Sequence, residues 1–402
     1  MFSTYWLTIL LIFISIWHTQ AQSTRDSLTA QLTALQARSL FPGFSVAIVR
    51  QDTVLYQHGF GLANLQTGLP YTPQTIQSVG SISKTLIGVS LMQCVERGLF
   101  SLDTPINDLL PFRVVNPYFP ADTIRVRHLA THTSGLVDYE PVYAQTYIFN
   151  GKPGTVPAEQ LKAYGFSGKN ASETLNSFLF SCFNEKGSRY TKRNFARTKP
   201  GQAYAYTNLG ATLAALLIET KTGLSYADYT KQHILAPLGM SHSGWSFKTV
   251  DPAQQANAYN LNKQAYPGYS SITYPDGNLR TSCADLSRYL MAILKGYAGQ
   301  SGLLTAHSVQ QMLSPQFPAD KIPDGLPKRD VNQGIFWVFR SNGSVGHTGS
   351  DFGASAFMFF NPQTGVGRLF MTNTDMENNT DVVAQFSTIW KLLGDSEANL
   401  SR

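Results

Sequence analysis

Strand-like segments stand at both ends of this chain and enclose a long helical middle. That order argues against two sequential domains and requires the two ends to meet in one sheet. Near the start, Phe44-Ser45-Val46-Ala47-Ile48-Val49 and Thr53-Val54-Leu55-Tyr56 flank the short turn Arg50-Gln51-Asp52, so β-branched and aromatic residues around a turn predict a hairpin. Gly59-Phe60-Gly61-Leu62-Ala63 extends it. In the final third, Gly334 to Phe339, Ser355 to Phe360 and Val366 to Thr372 read as strands of the same sheet. A helix from Asp26 to Arg38 precedes the hairpin, and a closing helix from Asp381 to Leu393 would cover the sheet. Between them, Leu86 to Leu99, Ala158 to Phe180, Leu209 to Thr220, Tyr226 to Leu235 and Ala284 to Leu294 carry apolar residues at helical spacing. The expected fold class is α/β of the α+β kind: an antiparallel sheet flanked by helices, plus an inserted helical lobe. The sheet lobe would take about 22–80 and 270–395, the helical lobe about 81–269, and 396–402 would be a C-terminal tail.

With 402 residues, 43% hydrophobic and 14% charged, the chain can bury a large core. Met1 to Ala21 carries no Lys, Arg, Asp or Glu and contains the apolar run Tyr5 to Trp17, too short to span a bilayer comfortably, which reads as a signal peptide cleaved before Gln22. The absence of a basic residue ahead of the run departs from the usual pattern and leaves a misassigned start or a retained anchor as alternatives. No cysteine follows the cleavage point to accept a lipid. The expected location is therefore outside the cytoplasm, periplasmic or secreted, with no stable membrane span after cleavage.

Cys94, Cys182 and Cys283 allow at most one disulfide and have no metal-like spacing. A net charge of +6 fits an anionic neighbour, but no nucleic-acid motif accompanies it. The stretch from Tyr139 to Pro200 is aromatic and basic, and in its last part Lys186, Arg189, Lys192, Arg193, Arg197 and Lys199 crowd against a single acid, Glu185. Such a run is ordinarily a solvated surface; bordering a site, it would favour acidic substrates.

Three short elements can carry chemistry. Ser81-Ile82-Ser83-Lys84, the only Ser-x-x-Lys here, places a hydroxyl and an amine on one helix face. A serine attacks only when a neighbour takes its proton, and a lysine can do so when burial disfavours the ammonium. The apolar run Thr85 to Met92 would supply that burial. The competing explanation is a helix start, with Ser81 as cap and Lys84 solvated.

Tyr206-Thr207-Asn208 stands at the entrance of the Leu209 helix. A tyrosine beside a cationic lysine can accept the serine proton as phenolate, and an asparagine can bind a substrate amide. Here the competing explanation is an aromatic packing residue with Asn208 as helix cap. His347-Thr348-Gly349-Ser350 lies between strand-like segments, where a glycine lets backbone approach a ligand and free N–H groups can hold an oxyanion. His242-Ser243-Gly244 has the same spacing but follows a helix exit, so His347 is preferred.

Taken in order, Ser-x-x-Lys, Tyr-x-Asn and His-Thr-Gly resemble the signature elements of the serine β-lactamase and penicillin-binding-protein superfamily, closest to class C β-lactamases and DD-peptidases. The stretches Val126 to Leu136, Pro200-Gly201, Pro237-Leu238-Gly239-Met240 and Gly277-Asn278-Leu279 are similar to the same superfamily.

The resemblance implies a β-lactamase/transpeptidase-like fold with its site in the cleft between sheet and helical lobe. It implies Ser81 as acylated nucleophile, Lys84 and Tyr206 as proton-transfer pair, and Asn208, His347, Gly349 and Ser350 on the substrate side. The backbone N–H groups of Ser81 and Ser350 would form the oxyanion hole. His132 and Ser134 would be structural.

At His347 the β-lactamases of this kind carry a lysine, and a histidine resembles the superfamily's peptidases and esterases instead. The expectation is an exported serine hydrolase without cofactor or metal, acting on a small-molecule, peptide or ester substrate, cell-wall peptide included. D-amino-acid peptides or small esters lead. β-Lactam hydrolysis is the enzymatic alternative, and trapping of β-lactams or peptides without turnover is the non-enzymatic one. No Gly-x-Ser-x-Gly, His-Glu-x-x-His or Gly-x-x-x-x-Gly-Lys element supports another chemistry.

Overall fold

The computed structural model describes residues 21–149, 154–163, 173–376 and 379–400. The proposed signal segment, apart from Ala21, and the middle of the expected Ala158–Phe180 helix lie outside the described residues.

Helix α1 spans residues 21–36 and leads into the hairpin of β1 (Gly43–Arg50) and β2 (Thr53–Asn64), with the short β3 (Leu69–Pro70) beyond. After the middle of the chain come β4 (Asp330–Gln333), β5 (Val338–Arg340), β6 (Val345–Asp351), β7 (Ala354–Asn361) and β8 (Val366–Thr372). The sheet runs β3-β2-β1-β8-β7-β6-β5-β4, with every pairing antiparallel. Strand β1 joins the two ends: Phe44 stands opposite Phe60 on one side and Thr372 on the other.

Side chains alternate across a strand, and β1 uses both faces. Phe44, Val46 and Ile48 enter a core with Leu28 and Leu32 of α1 and with the terminal helix α6 (Thr380–Leu400). Ala47 and Val49 enter the opposite core, with Leu286 and Leu290 of α5 (Cys283–Tyr297). A sheet buried on both faces explains the near-continuous apolar run of β1.

The inserted middle centres on α2 (Ser83–Glu96), α3 (Leu175–Phe183) and α4 (Asn208–Thr222). α2 and α4 pack on one another and are buried on nearly every side, so their sequences are apolar all round rather than amphipathic. The N-termini of these two central helices present the candidate residues.

Two sequence expectations need correction. Gly334 to Phe339 is a strand only from Val338: Phe336 adopts φ +59°, and its N–H donates to Ala130 O (2.9 Å) while Ile335 N–H donates to Met312 O (2.9 Å). The aromatic content of the segment reflects burial, and its backbone is satisfied by the carbonyls of Ala130 and Met312 instead of a ladder. The closing helix also runs on to Leu400 through residues read as a tail, because Leu400 closes the core over α1 at 5% exposure. Leu400→Ala should accordingly cost about 2–3 kcal/mol in guanidinium unfolding, whereas a tail residue would leave the midpoint unchanged.

Candidate active site

Strand Ile76–Ser78 pairs with Arg280–Ser282 and delivers the chain into a tight 3₁₀ turn, Gly80–Ile82, from which α2 begins. Gly80 takes φ +51°, a conformation suited to glycine. Ser83 Oγ donates to Gly80 O (2.6 Å) and accepts from Leu279 N–H (3.1 Å), tying the turn to the neighbouring strand. The α2 cap position is Ile82, without a side-chain hydrogen bond, so Ser81 does not cap the helix.

Lys84 is not a solvated charge: its side chain is wholly buried. Its Nζ lies 3.0 Å from Ser81 Oγ, 2.7 Å from Asn208 Oδ1 and 2.6 Å from the Asp276 carbonyl oxygen. The last two partners can only accept and therefore fix two N–H directions. The third direction, toward Ser81, is the one along which a proton can move either way.

Asn208 reaches Lys84 because Thr207, not Asn208, caps α4: Thr207 Oγ1 accepts from Gly210 N–H (3.0 Å). Asp138 holds this helix entrance, accepting from Thr207 Oγ1 (2.7 Å), Asn208 N–H (2.6 Å) and Leu209 N–H (2.9 Å). A carboxylate at a helix N-terminus is favoured by the exposed N–H groups there. Burial raises the Asp138 carboxyl above its usual range, against those hydrogen bonds and the field of Lys84.

The Asp276 carboxylate accepts from Thr212 Oγ1 of α4 (3.0 Å) and from the Tyr143 hydroxyl (3.2 Å), and burial pushes it up to about 6. Tyr206 is 40% exposed, its ring centre 5.0 Å from Lys84 Nζ, and it stacks on His132 with centroids 4.4 Å apart. His132 Nδ1 accepts the Thr207 N–H (3.2 Å), a structural tie as expected.

Strand β6 closes the site. β5 pairs with it only at Val345 and Gly346, leaving the edge from His347 onward open toward the Ser81 turn. A Cβ on Gly349 would collide with the Val79 carbonyl and sit 3.0 Å from Ser81 N, and one on Gly80 would sit 2.6 Å from Ser350 N. Glycine at both positions is what lets the Ser81 and Ser350 amides come together.

His347 is 4% exposed, 6.4 Å from the Tyr206 ring centre, and its Nδ1 lies 2.6 Å from Thr348 O. A carbonyl only accepts, so Nδ1 carries the proton and Nε2 presents a lone pair. Burial, helped by the Lys84 charge, lowers the imidazole to about 3, so it is neutral near pH 7.

Other sequence features stay outside this site. His242 lies beside Asp285, and the basic stretch disperses: Arg189 pairs with Glu173 (2.8 Å), Arg193 stacks on Tyr139 and Arg197 on Tyr118. All three cysteines are buried free thiols, and burial pushes Cys94 up to about 11 and Cys182 and Cys283 to about 12. Among the described residues no three His, Cys, Asp or Glu side chains converge as metal ligands, and no helix is long and apolar enough to cross a membrane.

A model of the family described as Beta-lactamase matches residues 28–387. The chain belongs to the β-lactamase family. Its curated relatives include penicillin-binding protein 4* of Bacillus subtilis, 24% identical over 357 residues, covering 84% of this chain and 69% of the relative. Other curated relatives are covered to 62% of their length. The fold is shared with the octameric penicillin-binding protein homologue of Pyrococcus abyssi (TM-score 0.70, 24% identity, 91% of this chain and 77% of that one). It is shared also with a class C β-lactamase (TM-score 0.67, 20% identity, 93% of this chain and 96% of that one).

Within this β-lactamase-family fold, Ser81, Lys84, Tyr206, Asn208, His347, Gly349 and Ser350 converge, and Asp138 and Asp276 are the residues that sequence reasoning missed. Asp276 precedes the Gly277-Asn278-Leu279 stretch, the one local signal that pointed near it.

The buried neutral His347 makes stability depend on pH. Its folded value, about 3, lies below the ordinary 6.5, so its contribution is intact above 6.5 and is lost as pH falls toward 3. Between pH 6.5 and 4, wild type should lose stability faster than His347→Gln by about 1.4 kcal/mol per pH unit. Parallel denaturation curves for the two proteins would contradict the neutral assignment.

Proposed function

We propose that the protein is a serine hydrolase that passes an acyl group from an amide or ester through Ser81 to water. The observation that carries this is the fully buried Lys84 amine, two of its directions fixed by acceptors and the third on Ser81 Oγ at 3.0 Å. Ser81 Oγ would bond to the substrate carbonyl carbon while its proton passes to the Lys84–Tyr206 pair. The carbonyl oxygen, now negative, would lie between the Ser81 and Ser350 N–H groups. Collapse expels the leaving group, which takes the proton. Water then attacks the Ser81 ester by the reverse proton path, releasing the acid and restoring the hydroxyl. Asn208 would hold a substrate amide.

His347 favours D-amino-acid peptides or small esters over β-lactams. It offers an uncharged acceptor where a lysine would offer a cation to a substrate carboxylate. The segment Met1 to Ala21 supports an exported enzyme, acting in the periplasm or beyond the cell.

Ser81→Ala should lower turnover of a p-nitrophenyl ester about 10³-fold or more, and Lys84→Ala and Tyr206→Phe about 10²-fold or more. Wild-type turnover in Ser81→Ala would sink the assignment, and a stoichiometric burst with no steady state would identify a trapping protein instead. Because the Bacillus relative carries the name penicillin-binding protein, a fluorescent penicillin is a suitable probe of Ser81 acylation. His347→Lys should raise the rate on substrates with a free carboxylate relative to neutral ones, and an unchanged ratio would remove the argument from His347.

A further inference from the structure

Alternation along β6 puts His347, Gly349 and Asp351 on one face, and Gly349 fixes which face it is: the one pressed on the Ser81 turn. His347 and Asp351 therefore flank the nucleophile from opposite ends of the strand. Asp351 lies two residues, about 7 Å, beyond the point where Gly349 meets Ser81.

Its carboxylate is partly buried. Oδ1 accepts from Phe352 N–H (2.9 Å) and from the Tyr147 hydroxyl (3.5 Å). Tyr147, Tyr269 and Phe352 close around it, with ring centres 5.0 Å (Tyr147–Phe352) and 5.9 Å (Tyr147–Tyr269 and Tyr269–Phe352) apart.

No cation lies within ion-pair distance of Asp351 among the described residues. Arg280, the cation whose field reaches it, donates to Tyr269 O (2.9 Å) and stacks on Phe247 (3.4 Å). Lys84 is held by Ser81, Asn208 and Asp276. Asp276 adds a second negative charge nearby. Burial, with Asp276, pushes the Asp351 carboxyl up to about 7, against the hydrogen bonds of Phe352 and Tyr269. An acid enclosed by aromatic rings, with no cation at ion-pair distance, is a receptor for a cation.

We propose that Asp351, with Tyr147, Tyr269 and Phe352, binds a protonated amine on the acyl side of the scissile bond, so the preferred acyl donor is an aminoacyl group with its amine free. This rests on Ser81 being the nucleophile. An α-amine sits about 2.5 Å from its carbonyl carbon by covalent geometry, so in the proposed pose an acyl chain laid along β6 from Ser81 carries its amine toward Asp351. His347 is left to the leaving-group side. Formation of the ammonium–carboxylate pair supplies the direct ion-pair partner that Asp351 lacks among the described residues.

The test compares D-alanine and D-phenylalanine p-nitroanilides with their N-acetyl counterparts, alongside p-nitrophenyl acetate. Wild type should favour the free amine at least tenfold in kcat/KM. Asp351→Asn should erase most of that preference, and Asp351→Glu should restore part of it, a ratio that loss of folded protein alone does not move. A preference for the N-acetyl form, or the same ratio in Asp351→Asn, overturns the inference. So does turnover of the acetate ester without either anilide, which leaves Ser81 as nucleophile standing. Acetate-ester turnover that survives Ser81→Ala brings down the reading beneath and this inference with it.

Discussion

The amine of Lys84 is the constraint around which this protein is arranged. A buried ammonium is costly unless its donors are met, and here its partners come from three separate places: the Ser81 turn, the first turn of α4 and the carbonyl of Asp276. Each must be held by something else. Asp138 clamps the start of α4, Thr212 joins α4 to Asp276, and Ser83 ties the Ser81 turn to Leu279. Two apolar helices packed on one another bring these groups within reach. The candidate site and the core of the helical lobe are therefore one construction, and loosening either loosens both.

The second dependence is steric. Backbone must come close enough for two amides from distant parts of the chain to face one point, and any side chain at Gly349 or Gly80 would keep them apart. β5 leaves β6 early, so the edge that makes this approach is not consumed by a neighbouring strand. An open edge is normally a liability for pairing with other chains, and here the Ser81 turn covers it.

Much of this was legible in the sequence where the signal is local. The hairpin of β1 and β2 follows from residue type around a turn, β8 from the apolar residues Val366 and Leu369 to Met371, and the Ser81–Lys84 spacing from helix geometry. The segment before Val338 was misread because aromatic residues report burial, which a turn wedged against the helical lobe supplies as well as a strand does. The end of α6 was missed because Leu400 is placed by a core built from both ends of the sequence. Asp138 and Asp276 were missed for a deeper reason: one works through backbone amides, the other through its own carbonyl, and main-chain groups leave no mark on residue identity.

The pairing of β1 with β8 also sets the order in which the molecule can come into being. β1 leaves the ribosome early and its partner only after almost the whole chain, so the sheet cannot close during most of synthesis. β6 is equally late, and until it arrives the Ser81 amide has no strand opposite it. A nascent chain therefore carries its serine and lysine long before the two amides can converge, and the arrangement is complete only with the last third. Topology itself thus keeps the candidate site incomplete until the chain is nearly whole.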